Sequence, residues 1–394
     1  MARAFDARAA RRPVFDALID AAAHHGWKKP ILEDQDRKPL TYLDLVRAAF
    51  ALGRKIADRT EPGERVGVIL PTGAGVAVTF FALHAFGRVP VMLNFTSGVR
   101  NMLGACEVAG VKRVLCARRF VEQAKLEEVV EPLEKALEFV WLEDVRTSIG
   151  TTDRLAAAAA GAAPRLFRKR LDPEAPGVIL FTSGSFGTPK GVVLTHANLT
   201  ANVEQIAAHI DLDPDWVFFN PLPVFHCFGL TGGLLLPLLT GSKAFQYPSP
   251  LHIKQIPPLI QDCGAAVLFG TDTFVNQYGR SAKPEELSGL KFIVAGAEKV
   301  REETHNLFRD KFGGVVIVEG YGATEAAPVI AVNQPEDNRR GTVGRLLPAV
   351  ETRLEPVDGI NGGGRLFVRG PNVMAGYLLE PGAPPQPLPD GWHD

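Results

Sequence analysis

The chain has 394 residues, 46% of them hydrophobic and 22% charged, with 43 Lys and Arg against 44 Asp and Glu. That length carries two or three domains with ample core, and the composition is that of an ordinary globular protein. The near balance of charge supplies no general field for nucleic acid, so partners have to be recognised locally.

Val14 to His25 places Phe15, Leu18, Ile19 and Ala22 on one helical face. Thr41, with Asp44 three residues on, opens a second amphipathic helix running to about Ala57. The short apolar runs 66–70, 89–93, 114–116 and 139–142 alternate with helical patterns over 76–86, 99–108 and 121–130. That alternation predicts a mostly parallel sheet covered by helices, an α/β fold. Residues 147–176 break the rhythm and read as a connecting helix and linker. Their basic group, Arg165, Arg168, Lys169 and Arg170, reads as a solvated face, with anionic lipid or an acidic carrier protein as the alternative.

Gly177-Val178-Ile179-Leu180 is a short apolar run that predicts a buried strand, and a helical pattern opens near Thr195. Between them lies Phe181-Thr182-Ser183-Gly184-Ser185-Phe186-Gly187-Thr188-Pro189-Lys190-Gly191. Glycines that let backbone N–H groups converge, several hydroxyls and one lysine suit a polyphosphate. Pro189 before Lys190 and Gly191 after it make the Walker pattern a poor fit. A Gly/Ser-rich linker is the bland alternative.

The α/β rhythm then restarts, with strands at 216–219, 244–245, 266–269, 292–295 and 315–318 and helices at 199–209, 229–239, 253–260 and 302–312. No Asp, Glu, Lys or Arg stands between Asp215 and Lys243, but the prolines and glycines there would break a helix in lipid, so the segment reads as core. From Gly341 the text turns to Gly/Pro-punctuated short strands at 351–355 and 365–369, which predicts a small antiparallel, barrel-like unit. The expected boundaries are therefore 1–175, 176–340 and 341–394.

Cys106, Cys116, Cys227 and Cys263 have no metal-ligand spacing and read as free thiols of a reducing compartment, cytoplasm by default. Arg3, Arg8, Arg11 and Arg12 are followed by no apolar stretch, so neither a signal peptide nor a membrane anchor is expected.

Three further stretches carry chemistry. Val318-Glu319-Gly320-Tyr321-Gly322-Ala323-Thr324-Glu325 follows a strand and sets an aromatic ring, a hydroxyl and a carboxylate close together. Val294-Ala295-Gly296-Ala297-Glu298 ends a strand in small residues, which suits either close approach to a planar base or tight packing. Pro223-Val224-Phe225-His226-Cys227-Phe228-Gly229 puts a histidine in an apolar run.

With the 181–191 loop, these stretches resemble the adenylate-forming superfamily of acyl-CoA synthetases, luciferases and peptide-synthetase adenylation domains. Phe186 departs from the small polar residue usual there. The resemblance implies two stacked α/β subdomains with a small β subdomain, binding ATP and Mg²⁺. It implies that Thr182, Ser183, Gly184, Ser185, Gly187, Thr188 and Lys190 surround the phosphates. Tyr321, Gly320, Gly322, Gly296, Ala297 and Glu298 would line the base, Thr324 would meet the α-phosphate, and Glu325 and Thr182 would hold the metal. His226 would sit on the acyl-carboxylate side. It lacks the fixed negative charge that would pair an amino acid's ammonium group, which favours a substrate without an α-amino group. Phe228, Leu230, Phe269 and Phe274 suit an alkyl chain or a core equally.

The 364–377 stretch, Gly364 to Tyr377, matches a family segment with a structural role. Gly391-Trp392-His393-Asp394 looks like the approach to the family's ribose-binding Asp, so the chain reads as the large domain without the C-terminal lid and its lysine. A closer resemblance, over 181–202, 245–250, 267–274, 294–299 and 341–345, is to the acyl-[acyl carrier protein] synthetase half of bifunctional 2-acylglycerophosphoethanolamine acyltransferases. This implies transfer of a fatty acid to the phosphopantetheine thiol of acyl carrier protein or CoA. It also implies peripheral association with the cytoplasmic face of the inner membrane through an acyltransferase half outside this chain.

Overall fold

The computed structural model describes residues 4–182, 189–360 and 362–394. Two large sheets dominate, with a small antiparallel pair beside them. The first sheet has the strand order Gly376–Leu378, Lys190–Thr195, Pro176–Thr182, Val89–Met92, Arg65–Ile69, Arg113–Cys116, Glu138–Trp141. Its last five strands are parallel to one another and its first three pair antiparallel. The second sheet runs Arg345–Leu346, Val329–Val332, Val316–Gly322, Phe292–Ala295, Val267–Gly270, Val217–Asn220, Lys243–Gln246, Pro30–Asp34, Leu40–Thr41. Its central strands are parallel, and fully buried runs such as Val267–Gly270 show why they read as continuous apolar segments.

Several expected elements stand where their patterns put them. The helix Val14–His25 buries Phe15, Leu18, Ile19 and Ala22. Thr41 caps Tyr42–Ala57 through a reciprocal box, its hydroxyl accepting from Asp44 N at 3.1 Å while Asp44 accepts from Thr41 N at 3.1 Å. The charge-free stretch is core: Phe228–Leu235, wound as a π-helix, continues into Leu236–Thr240, and both are largely buried. Gly233 lets this helix approach Asn220 closely, since a methyl there would fall 2.1 Å from the Asn220 side chain.

Other expectations need correction. The 121–130 pattern is two helices, Arg118–Ala124 and Glu127–Ala136, because Lys125 turns left-handed at φ 53°. The helix Asp272–Ser281 has no counterpart among the expected elements. The helix expected near Thr195 is there, but an unexpected strand precedes it: Lys190–Thr195 folds back antiparallel on Pro176–Thr182, with Lys190 opposite Thr182. Val192, Val193 and Leu194 are buried there, and β-branched residues buried on both faces favour a strand. The polar signal near Thr195 is the cap of the next helix, His196–His209; Thr195 Oγ1 accepts from Asn198 N at 3.0 Å.

The sheets also ignore the expected boundary at 175/176. Pro30–Asp34, from the first span, pairs in parallel with Lys243–Gln246 of the second sheet. Pro176–Thr182 and Lys190–Thr195, from the second span, belong to the first sheet. After residue 341 the small antiparallel sheet is the hairpin of Glu351–Pro356 and Gly364–Arg369. Arg345–Leu346 and Gly376–Leu378 instead extend the second and first sheets. No helix among the described residues is long and apolar enough to cross a membrane.

Candidate active site

The cleft is built where the carboxyl ends of the second sheet's strands meet the hairpin of the first, a common place for ligands in α/β sheets. Phe292–Ala295 and Val316–Gly322 are parallel neighbours with Ala295 opposite Glu319. Gly296-Ala297-Glu298, which follows the first strand, and Gly320-Tyr321-Gly322, which ends the second, therefore lie side by side. A methyl on Gly296 would lie 3.3 Å from the Phe228 ring and 3.6 Å from the Gly320 carbonyl oxygen, so the site is closely packed at this glycine. Ala297 is exposed and left-handed at φ 67°, a conformation uncommon for a residue with a side chain. Glu298 faces the start of the Asp272–Ser281 helix, accepting from Thr273 Oγ1 at 2.7 Å. Gly322 is needed for close approach, since a methyl would fall 2.1 Å from the Pro328 carbonyl oxygen. Tyr321 stands 44% exposed, its ring open to a stacking partner.

Thr324 and Glu325 turn inward from this edge. Glu325 is buried, and its Oε1 accepts from the Tyr377 hydroxyl at 2.7 Å. The Lys190 ammonium lies over the Tyr377 ring, 5.4 Å from its centre. One tyrosine therefore touches both the lysine of the phosphate loop and the carboxylate of the 318–325 stretch. Strands Pro176–Thr182 and Lys190–Thr195 both pack on the Thr324–Ala326 turn, and Thr182 pairs with Lys190 across their hairpin. Ser183, Gly184, Ser185, Gly187 and Thr188, expected at the phosphates, lie outside the described residues.

The third stretch joins from the side. Cys227 Sγ lies 3.6 Å from Thr324 Oγ1, so the residue after His226 touches the α-phosphate candidate directly. His226 reaches solvent, yet the protein mass around it lowers its imidazole pKa below the ordinary value. Burial pushes the Cys227 thiol up to about 12 and raises the Tyr377 phenol, whose bond to Glu325 adds to the effect. Both groups keep their protons at neutral pH. Phe228 and Phe269 line one apolar cavity of about 30 Å³ with Gly232, Val294 and Val329. Leu230 is core, and Phe274 stacks on Tyr278 in a separate cluster, so neither joins that cavity.

The donors suit a hard divalent cation. Glu325 offers a second oxygen that has no partner among the described residues, Thr182 offers a hydroxyl, and the nearby thiol is protonated. No group of three or more His, Cys, Asp or Glu converges among the described residues, so a cation held here would draw further ligands from phosphate or water.

Buried amides that sequence reasoning passed over hold the cleft. Asn202 grips Val329 at both ends, its Nδ2 donating to the carbonyl at 2.9 Å and its Oδ1 accepting from the N–H at 3.1 Å. Asn372 donates to Ala326 O at 2.7 Å, and Asn198 to Pro371 O and Val373 O at 2.9 and 2.8 Å. Met374 N donates to Glu325 O at 2.7 Å. A run of polar residues on an otherwise buried helix face, Asn198, Asn202 and Gln205, was the available signal. Nothing in linear spacing links Tyr377 to Glu325.

The AMP-binding enzyme family matches residues 5–378, and the chain belongs to that family. It is 26% identical over 385 residues to 4-coumarate–CoA ligase 2 of Oryza sativa subsp. japonica, covering 88% of this chain and 64% of that protein. It is 27% identical over 368 residues to the long-chain-fatty-acid–CoA ligase of Escherichia coli O157:H7, covering 84% of this chain and 64% of the relative. The chain thus spans somewhat under two thirds of these relatives. In fold it resembles a benzoate CoA ligase from Burkholderia xenovorans LB400, with a TM-score of 0.79 at 20% identity over 93% of this chain and 73% of that one. It likewise resembles VinN in complex with L-aspartate, at 0.76 and 23%, over 94% and 92% of the two chains. The fold is that of the acyl-CoA synthetase-like adenylate-forming enzymes.

Proposed function

We propose that the chain activates a fatty acid with ATP as an acyl-adenylate, for transfer to the phosphopantetheine thiol of acyl carrier protein. The observation that carries the activation half is the meeting of Lys190 and Glu325 on one tyrosine ring. In this reading a carboxylate oxygen of the acid attacks the α-phosphorus, and the bond to pyrophosphate breaks in line. Lys190 and the backbone around it receive the phosphate charge, Thr324 donates its hydroxyl at the α-phosphate, and Tyr321 covers the base. Glu325 and Thr182 would hold Mg²⁺, which would supply positive charge against the phosphate oxygens. His226, uncharged at neutral pH by its lowered pKa, stands at the acyl side and leaves the acid's own negative charge unpaired for attack. The thiol then attacks the acyl carbon and AMP leaves with the bonding electrons.

The fatty-acid reading draws support from the similarity to the long-chain-fatty-acid–CoA ligase and from the apolar cavity that Phe228 and Phe269 line. A space of about 30 Å³ holds about one water, so Phe228 or Phe269 must swing aside for an alkyl chain. CoA as acceptor is the second reading, favoured by the names of the relatives. Cytoplasmic location, and attachment to the membrane through an acyltransferase half, belong to the carrier-protein reading. A non-catalytic adenylate-binding scaffold is the third.

Fatty-acid-dependent exchange of labelled pyrophosphate into ATP by the full-length protein tests the proposal. Exchange that disappears in Glu325→Ala supports it; exchange absent in the wild type with every acid tried leaves only the scaffold. Acyl transfer to carrier protein but not CoA separates the two acceptors.

A further inference from the structure

The proposed function leaves one group in the cleft without a task, the Tyr377 phenol. We infer that Tyr377 is a positioning residue: its hydroxyl ties down Oε1 of Glu325 so that the other oxygen points to the nucleotide's divalent cation, while its ring steadies Lys190. This rests on the ATP reading above.

The geometry is over-determined from the backbone outward. Tyr377 sits opposite Val192 in the pairing of Gly376–Leu378 with Lys190–Thr195, two residues along the strand from Lys190. Its other edge is bonded to Gln386, N donating to Gln386 O at 3.1 Å and O accepting from Gln386 N at 2.8 Å. The preceding Gly376 admits no side chain, because a methyl would lie 2.2 Å from the Gln386 carbonyl oxygen. Glu325 is tied to the same segment through its carbonyl, which accepts from Met374 N at 2.7 Å. Both ends of the side-chain bridge are thus held by main chain.

A glutamate with three rotatable bonds samples many poses, and one charge-assisted hydrogen bond to a fixed phenol selects those with a single oxygen turned in. Oε2 has no partner among the described residues and is the oxygen left to bind. The ring's face toward Lys190 adds a cation–π contact at 5.4 Å, so the two charges of the cleft are set by one side chain.

The test is equilibrium ATP binding to this chain by calorimetry, with Mg²⁺ and with EDTA, for Tyr377→Phe, Tyr377→Leu, Glu325→Gln and the Phe/Gln double variant. A hydrogen bond to a charged group corresponds to about tenfold in affinity. Tyr377→Phe, which keeps the ring, is expected to lose about tenfold in Mg²⁺ and less than twofold in EDTA. Tyr377→Leu should lose affinity in both, because Lys190 loses its support. The double variant should bind no worse than Glu325→Gln alone, since the hydroxyl acts only through the carboxylate.

Tyr377→Phe with a wild-type Mg²⁺ response, or with equal losses in Mg²⁺ and EDTA, overturns the inference and leaves the ATP reading intact. Additive losses in the double variant overturn it as well, even if the Phe variant is less stable. No ATP binding by the wild-type chain overturns the reading beneath it, and this inference with it.

Discussion

Asn202 offers the sharpest test of how the cleft is held. It is fully buried, and its amide completes both hydrogen bonds of the Val329 peptide, four residues past Glu325. Asn202→Ala leaves the Val329 N–H without its acceptor, while the carbonyl keeps a second donor in Asn372 Nδ2 at 3.1 Å. One orphaned buried donor costs about 1–3 kcal/mol, and the lost side-chain volume adds to it, so a destabilisation of about 2–3 kcal/mol is expected. Asn202→Asp keeps the shape but sets a charged oxygen against the Val329 carbonyl, and an uncompensated buried charge costs about 3–5 kcal/mol. Urea unfolding followed by fluorescence should therefore rank wild type above Ala and Ala above Asp. The midpoint for Ala should fall by about 1 M or less, given the slopes usual for chains of this size. If packing alone mattered, the isosteric Asp would be the milder change. Asp at or above Ala in stability would refute the hydrogen-bond argument.

The buried pair His84 and His196, with rings 4.9 Å apart, gives a pH prediction. Burial lowers the His84 pKa from 6.5 to about 4, so the neutral ring is the folded form and the unfolded chain binds the extra proton as pH falls. Stability is complete above pH 6.5 and is lost downward, by about 2 kcal/mol at pH 5, and the loss should be smaller in His84→Gln; equal pH slopes in urea titrations would contradict this. Gly233→Ala sets a methyl 2.1 Å from the buried Asn220, which is bonded to Gln246 at 2.9 Å, and is expected to cost at least about 2 kcal/mol; unchanged melting would count against it. Burial pushes the thiols of Cys106, Cys116, Cys227 and Cys263 up to about 12, so iodoacetamide at pH 7.5 should label the unfolded chain far faster than the native one. Rapid native labelling by mass spectrometry would refute that.

Local signals reached the elements and the chemistry. The Thr41–Asp44 box, the apolar runs of the parallel strands and the Gly/Ser loop with its lysine are short-range patterns, dictated by capping, side-chain periodicity and backbone freedom within a few residues. They sufficed for an α/β fold and for the candidates Lys190, Thr324 and Glu325. Partnership across the chain was another matter. Lys190–Thr195 reads as the run-up to a helix until Pro176–Thr182 on one side and Gly376–Leu378 on the other supply its hydrogen bonds. Pro30–Asp34 looks like part of the first unit, yet pairs with a strand two hundred residues away, as sheets are free to do. Tyr377 reads as structural because its partners, Glu325 and Lys190, are remote in sequence, and only the closing of the first sheet over the 324–326 turn brings them together. Which residues can act is written in their side chains; which of them act together was decided by tertiary packing, because hydrogen bonding and charge depend on distances in space.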